Sequence, residues 1–269
     1  MVPVHVNTTL RELSSEKIVS LLQENSVKPE LYIDGNEVER ITREELYALR
    51  EKLERRGLLP ITIHAPFVDL SPGSPDETIR NISREKISKA IDIAGVIPAR
   101  GVVVHSGYSD WHFDFRPEKW LENAVPTFHG FCEKAEELDL FIHVENIFER
   151  DPSTLKELAS RVNSRRLRIC FDAGHAHLFS HIPLVDWVRD LAPLIGEIHL
   201  HDNSGKRDEH LPLSEGTINY RGILAAIKER ELDIIFALEP HTLEHARRTL
   251  SSFRSLYHQV FSPLLQDTL

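Results

Sequence analysis

The stretch Glu197-Ile198-His199-Leu200-His201-Asp202-Asn203-Ser204-Gly205-Lys206-Arg207-Asp208-Glu209-His210 begins as an apolar strand and ends as a polar loop. Ile198 and Leu200 alternate with His199 and His201, the period of two that a half-buried strand shows. Asp208-x-His210 follows in the loop. A core strand has no need of two imidazoles on one face, nor a plain connection of Asp-x-His directly after them. Imidazole and carboxylate together bind divalent metal. The stretch is expected to supply part of a metal site, with other strands delivering the rest.

Strands and helices alternate on both sides of it. Apolar strand patterns are expected at Val2 to Asn7, Leu31 to Asp34, Ile61 to Pro66, Gly101 to His105, Leu140 to Glu145, Leu167 to Asp172 and Ile234 to Glu239, with the opening stretch as the seventh of eight. Helical patterns separate them. Thr42 with Glu45 reads as a capping box, and Ser74, Pro75 and Glu77 as the start of a helix whose buried stripe is Ile79, Ile82, Ile87, Ile91 and Ala94. A long helix after Pro117 turns Trp120, Leu121, Phe128, Phe131, Ala135 and Leu138 inward, and Pro126 is expected to kink or split it. Leu184 to Leu194, Tyr220 to Glu231 and Thr242 to Phe261 read as further helices. Strict alternation predicts an α/β fold with a parallel sheet. Eight repeats within 269 residues predict a closed (β/α)8 TIM barrel spanning 1–269 as one domain. No G-x-G-x-x-G follows the first strand, which argues against an open dinucleotide-binding sheet.

Composition narrows the function classes. Hydrophobic residues at 41% and charged residues at 28% fit a soluble globular protein. Two cysteines, Cys132 and Cys170, both in apolar surroundings, are expected in the core rather than in a disulfide framework. A net charge of −10 disfavours general nucleic-acid binding, which calls for a basic face. No apolar run is long enough for a membrane span, and the N-terminus lacks a signal-peptide pattern, so a cytoplasmic enzyme or binding protein is the default expectation. Nothing in the pattern assigns an oligomeric state.

A barrel of this kind builds its site at the carboxyl ends of its strands. Those ends carry His64, His105, Glu145, Asp172 with His175 three residues on, His199 with Asp208 and His210 in its loop, and Glu239. Taken singly, His64 or His105 reads as a structural histidine, Asp172 as a helix cap, and Asp208 with His210 as a solvated loop. Nine metal-type side chains at one rim make those separate readings a poor account. His143 and His201 share a strand face with Glu145 and His199 and read as filling or supporting residues. His112, His129, His181, His241, His245 and His258 read as surface or structural. Tyr108 to Arg116, with Trp111, Phe113 and Phe115, reads as a pocket cover, a dimer contact or simple loop packing.

His64-Ala65-Pro66, His105-x-Gly107, Glu145-Asn146, Asp172-x-Gly174-His175, His199-x-x-Asp202, Asp208-x-His210, Glu215-Gly216 and Glu239 together resemble the xylose-isomerase-like TIM barrels. That superfamily holds sugar (phosphate) isomerases and epimerases and also apurinic endonucleases of the endonuclease IV type. The resemblance to the epimerase branch implies a metal quartet of Glu145, Asp172, His199 and Glu239. It makes Glu145 and Glu239 the carboxylates flanking the substrate carbons, and His175 the histidine that holds a sugar oxygen. The resemblance to the endonuclease branch implies three zincs: one on His64, His105 and Glu145, one on Glu145, Asp172, His199 and Glu239, one on His175, Asp208 and His210.

Departures exist from both branches. Phe67 stands where the endonucleases have tyrosine, and His201 where they have asparagine; their DNA-contacting loops after the first strands are not evident. Gly205 stands where the epimerases have a sugar-binding arginine, with Lys206 and Arg207 adjacent. The expectation is an isomerase or epimerase acting on a small sugar, sugar phosphate or related polyol through an enediolate. It would need one to three ions of Zn, Mn, Mg or Co. An endonuclease-IV-like zinc phosphodiesterase is the alternative.

Overall fold

A computed structural model describes residues 2–262; Met1 and 263–269 of the expected domain span lie outside the described residues. The strands are β1 Val4–Thr9, β2 Lys28–Tyr32, β3 Ile61–His64, β4 Ala99–His105, β5 Phe141–Glu145, β6 Leu167–Asp172, β7 Ile195–Leu200 and β8 Ile235–Leu238. The helices are α1 Leu10–Leu13, α2 Glu16–Glu24, α3 Glu37–Arg40, α4 Arg43–Arg55, α5 Glu77–Val96, α6 Pro117–Glu137, α7 Ser153–Val162, α8 Ala173–Phe179, α9 Leu184–Leu191, α10 Tyr220–Glu229 and α11 Leu243–Phe261. The strands pair in parallel and in chain order, and β8 closes on β1. The fold is a (β/α)8 barrel.

The apolar core lies between strands and helices. Val102, Val104, Ile142, Val144, Ile169, Phe171, Ile198, Leu200, Phe236 and Leu238 alternate outward along their strands and join the helix faces in one cluster. Trp120, Trp187 and Phe128 are fully buried in it. The alternate positions face the barrel axis and are mostly polar: His5, Glu30, Thr62, His64, His143, Glu145, Asp172, Glu197 and His199 are all buried. Register carries this polarity to the rim, since His105 pairs with Glu145 and Asp172 with His199.

Several local expectations differ from the structure. Thr42 and Glu45 do form a capping box, but α5 is capped by Asp76, whose Oδ1 accepts from the Thr78 and Ile79 amides at 2.8 and 3.2 Å. Ile79 and Ile82 are exposed, because α5 buries Ser83, Ile87, Ala90, Ile91 and Ala94 instead. Ser83 belongs on that face because its hydroxyl accepts from the Ser71 amide and donates to the Ile79 carbonyl. α6 runs unbroken through Pro126, which sits on its exposed side. Leu138 lies at its C-cap and is partly exposed. β2 starts three residues earlier than expected and so includes Glu30. α8 follows β6 without a connecting loop. Both cysteines are buried and unpaired. Among the described residues, no helix is long and apolar enough to cross a membrane.

Candidate metal centre

His199 is the hub of the rim. Its Nδ1 lies 3.2 Å from Glu239 Oε1, 3.6 Å from Glu145 Oε1 and 3.7 Å from Asp172 Oδ2. Those carboxylates arrive from β8, β5 and β6, so backbone register alone brings them to one nitrogen. The nitrogen is buried and has no hydrogen-bond partner. A buried imidazole edge ringed by three carboxylates concentrates negative charge that a bound cation would balance. That donor set fits a divalent ion.

Glu145 joins this quartet to a second group. His64 Nε2 and His105 Nε2 both lie 3.2 Å from its Oε2. The other nitrogen of His64 bonds the Ala65 carbonyl at 2.9 Å, which turns Nε2 toward Glu145. Phe67 stacks on His105 with ring centroids 4.2 Å apart.

The third group is assembled on the loop after β7. Asp208 Oδ2 lies 3.5 Å from His175 Nε2 and 3.1 Å from His210 Nε2. His210 holds a left-handed backbone (φ 47°) and bonds the Glu239 carbonyl through Nδ1 at 3.0 Å. Asp172 caps α8 by accepting the His175 amide at 2.6 Å, which fixes where His175 starts. All nine residues expected from the strand ends therefore converge.

His201, read as a filling or supporting residue, also lies among them. Its Nε2 is 3.2 Å from Asp172 Oδ2, its Nδ1 is 3.5 Å from Asp208 Oδ1, and its ring stacks on His210 at 3.8 Å. It fits because Gly174 has no side chain: a Cβ there would sit 2.0 Å from the ring. The motif glycine was the available signal. His241, expected at the surface, is exposed but stacks on the other face of His210 at 4.1 Å. In the Tyr108 to Arg116 loop, Tyr108 and Phe113 stack in the interior, while Trp111 is 78% and Phe115 49% exposed.

Charge is distributed as a cation site requires. Burial pushes Glu145 up, but His105 and His199 outweigh it and hold the carboxyl well below its ordinary range. Asp172 is likewise lowered, burial being outweighed by His175 and His201. Burial opposes charge on His175 and His199, yet the carboxylates around them raise both well above the usual imidazole value. His210 is raised to about 9, its burial being outweighed by Asp208 and Glu239. His105 is the exception, lowered by burial.

Glu149 was not foreseen. It is buried beside the site, accepts from the Ser106 hydroxyl and from the Ile147 amide, and burial pushes its carboxyl up to about 7. Its folded value lies above its unfolded one, so its stabilising contribution is complete below about pH 4.5 and is lost as pH rises through about 7. The loss amounts to about 3 kcal/mol. Glu149→Gln is expected to flatten this part of the stability profile in urea melts at pH 5 and pH 8. Parallel profiles for variant and parent would remove Glu149 as its source.

A cavity of about 750 Å³ opens at the opposite, N-terminal end of the barrel, lined by residues including Arg100, Phe141, His143 and Arg168. Size does not decide the matter: the convergent imidazoles and carboxylates are at the C-terminal rim.

The family profile described as xylose isomerase-like TIM barrel matches residues 30–256. The chain belongs to the xylose isomerase-like TIM barrel family. An uncharacterised protein of Methanocaldococcus jannaschii, MJ1311, is 33% identical to this family member over 215 residues, 75% of this chain and 70% of that protein. A solved structure described as a D-tagatose 3-epimerase-like protein is 27% identical with a TM-score of 0.83, over 97% of this chain and 98% of that one. The TTHB071 protein of Thermus thermophilus, solved after soaking with ZnCl2, is 26% identical with a TM-score of 0.77, over 96% of this chain and 99% of that one. An L-ribulose 3-epimerase shares the barrel at a TM-score of 0.78 and 11% identity, a likeness of fold alone.

Proposed function

We propose that this chain is a divalent-metal-dependent isomerase or epimerase acting on a small sugar, sugar phosphate or related polyol. The observation that carries this reading is the meeting of Glu145, Asp172 and Glu239 at the unpartnered Nδ1 of His199. These four residues would hold the ion. When bound, a divalent ion supplies Lewis-acid polarisation of carbonyl and hydroxyl oxygens. Glu145 and Glu239 come from strands three apart around the barrel, so they reach a substrate carbon from different sides. One carboxylate takes the proton from carbon, and a carboxylate on the other face returns it. His175 holds a substrate oxygen by hydrogen bonding through its imidazole, which Asp172 and Glu145 orient. Asp208, lowered by His175 and His210 despite its burial, accepts from a hydroxyl. The 27% identity to a D-tagatose 3-epimerase-like protein across nearly the whole chain supports a sugar as the substrate class.

The test is proton exchange. Protein loaded with Mn, Mg, Co or Zn is expected to wash deuterium from D2O into the carbon beside the carbonyl of a ketose, read by NMR. No exchange across a panel of pentuloses, hexuloses and their phosphates, with metal demonstrably bound, would sink the reading.

One observation favours a second reading. His175, Asp208 and His210 are already gathered around one point, as a third ion would require. A multinuclear phosphodiesterase would use them as ligands. Counting ions per chain separates the two: one ion supports sugar chemistry, whereas three zincs with incision of an abasic duplex support hydrolysis.

A further inference from the structure

The residue beneath His199 belongs to none of the ligand sets implied by the family resemblance. Glu30 comes from β2, is fully buried, and places Oε1 3.4 Å from His199 Nε2, a buried nitrogen that makes no hydrogen bond and would need an acceptor when protonated. It is held on both oxygens. Asn7 donates to Oε1 at 3.0 Å, and the Thr62 hydroxyl donates to Oε2 at 3.2 Å. Thr62 is itself held by His5 Nδ1 at 2.8 Å. A carboxylate fixed by three strands inside a barrel is expensive to bury, and no cationic lysine or arginine is paired with it among the described residues.

The two nitrogens of His199 thus face different groups. Nδ1 faces the three rim carboxylates; Nε2 faces Glu30. An imidazole can ligate a cation through Nδ1 only if the ring proton is on Nε2. With the proton on Nδ1, His199 would donate to Glu239 and could not ligate. Once a cation on the Nδ1 side balances the rim carboxylates, the carboxylate opposite Nε2 favours the first state.

We propose that Glu30 is a positioning residue that holds the His199 proton on Nε2 and so presents Nδ1 to the metal. The proposal rests on reading His199 as a ligand. Carboxylate behind imidazole is a general way to fix a ligating histidine, and removing the carboxylate typically weakens metal affinity by about 10- to 100-fold. Glu30 is not a ligand of a separate ion, although Glu197 Oε1 is also buried, lacks a hydrogen-bond partner, and lies near both Glu30 and His199. An ion there would take Nε2, and His199 would have to bridge two ions with both nitrogens deprotonated.

The experiment uses full-length protein stripped of metal and compares the parent with Glu30→Leu, Glu30→Gln and Thr62→Val. Long-range 1H–15N correlation on the zinc-loaded proteins reads which His199 nitrogen ligates and which carries the proton. Calorimetric titration with MnCl2 and with ZnCl2 reads affinity and stoichiometry. In the zinc-loaded parent His199 is expected to ligate through Nδ1 with its proton on Nε2, and in Glu30→Leu to show a mixture of ligating and free rings. Mn affinity in Glu30→Leu is expected to fall about 10- to 100-fold at unchanged stoichiometry. Glu30→Gln keeps a carbonyl oxygen that accepts from Nε2–H, so it should stay close to the parent. Thr62→Val frees only one oxygen of Glu30 and should move in the same direction as Glu30→Leu by several-fold, which keeps the test open should Glu30→Leu fail to fold. Affinity unchanged in both Glu30→Leu and Thr62→Val overturns the proposal. So does loss of one ion equivalent in Glu30→Leu. A parent that binds no divalent ion would overturn the metal centre and this proposal with it, whereas ions bound with an affinity indifferent to Glu30 and Thr62 would overturn the proposal alone.

Discussion

Glu145→Gln is expected to lower turnover by about 10²- to 10⁴-fold, the range spanned by a positioned acid–base group, and to reduce metal occupancy as well. The same carboxylate serves both groups of the rim: Oε1 lies near His175 and His199, and Oε2 near His64 and His105. Glutamine keeps the volume but offers only one acceptor oxygen and turns an amide N–H2 toward imidazoles. The metal-free protein should respond too, with a definite sign. Burial lowers the His64 imidazole, but Glu145 outweighs it and raises the group above 6.5. A raised histidine stabilises the fold fully below its unfolded value and loses that contribution as pH rises through its folded value. In Glu145→Gln this contribution is gone. The variant should therefore be weaker by about 3 kcal/mol at pH 5, where His64 is charged, and should recover the His64 share of that loss as pH rises through its folded value. Metal analysis, ketose turnover and urea melts at the two pH values check these outcomes. Full occupancy and activity in the variant would take Glu145 out of the site.

The rim was legible in the sequence because a parallel barrel converts strand order into geometry. His64, His105, Glu145, Asp172 and Glu239 each close an apolar strand run, His199 lies one residue before the end of another, and closure in chain order makes those ends neighbours. Asp208 and His210 were legible as a pair but not as a position. Where a loop goes depends on contacts such as the His210 Nδ1 bond to the Glu239 carbonyl, which spans 29 residues.

The supporting layer was not legible. Glu30, Thr62 and Glu197 alternate with apolar neighbours, and that pattern is the same for a strand with one face in water. Only closure of the barrel turns the polar face inward. Ile79 and Ile82 failed for the converse reason. Helical periodicity marks a face, but the burying partner determines how much of that face is covered, and in α5 it covers Ser83 and Ile87 but neither Ile79 nor Ile82. α8 was missed because it starts at Ala173, one residue past β6, leaving Asp172 to serve as strand end, helix cap and rim carboxylate at once.

Asp202→Ala is expected to be the most destabilising single change in the loop that carries Asp208 and His210. Asp202 is fully buried. Its Oδ1 accepts from the Asn203 and Ile218 amides at 2.9 and 3.2 Å, and its Oδ2 from the Ser214 amide at 2.9 Å. One side chain thus ties both ends of the loop and its middle to the end of β7. Hydrogen bonds to a charged acceptor are each worth roughly 1.5–3 kcal/mol, and the amides left behind would be short of partners, so a loss of about 4 kcal/mol is expected. In a chain of this size that corresponds to a melting temperature lower by roughly 10 °C. Gly216→Ala should act the same way, because its Cβ would fall 2.2 Å from Asp202 Oδ1 and 2.3 Å from the Asn203 carbonyl oxygen. The quartet around His199 sits on strand ends and does not depend on these bonds. Asp202→Ala should therefore leave the His199-centred ion bound while opening residues 203–218 to protease. If Asp208 and His210 hold a second ion in the parent, that ion alone is lost, and the ion count falls by one. If they hold a substrate hydroxyl instead, the count is unchanged and the KM for the ketose rises. An unaltered melting temperature and an intact loop under protease would show that the three amide contacts of Asp202 are not what holds this part of the rim in place.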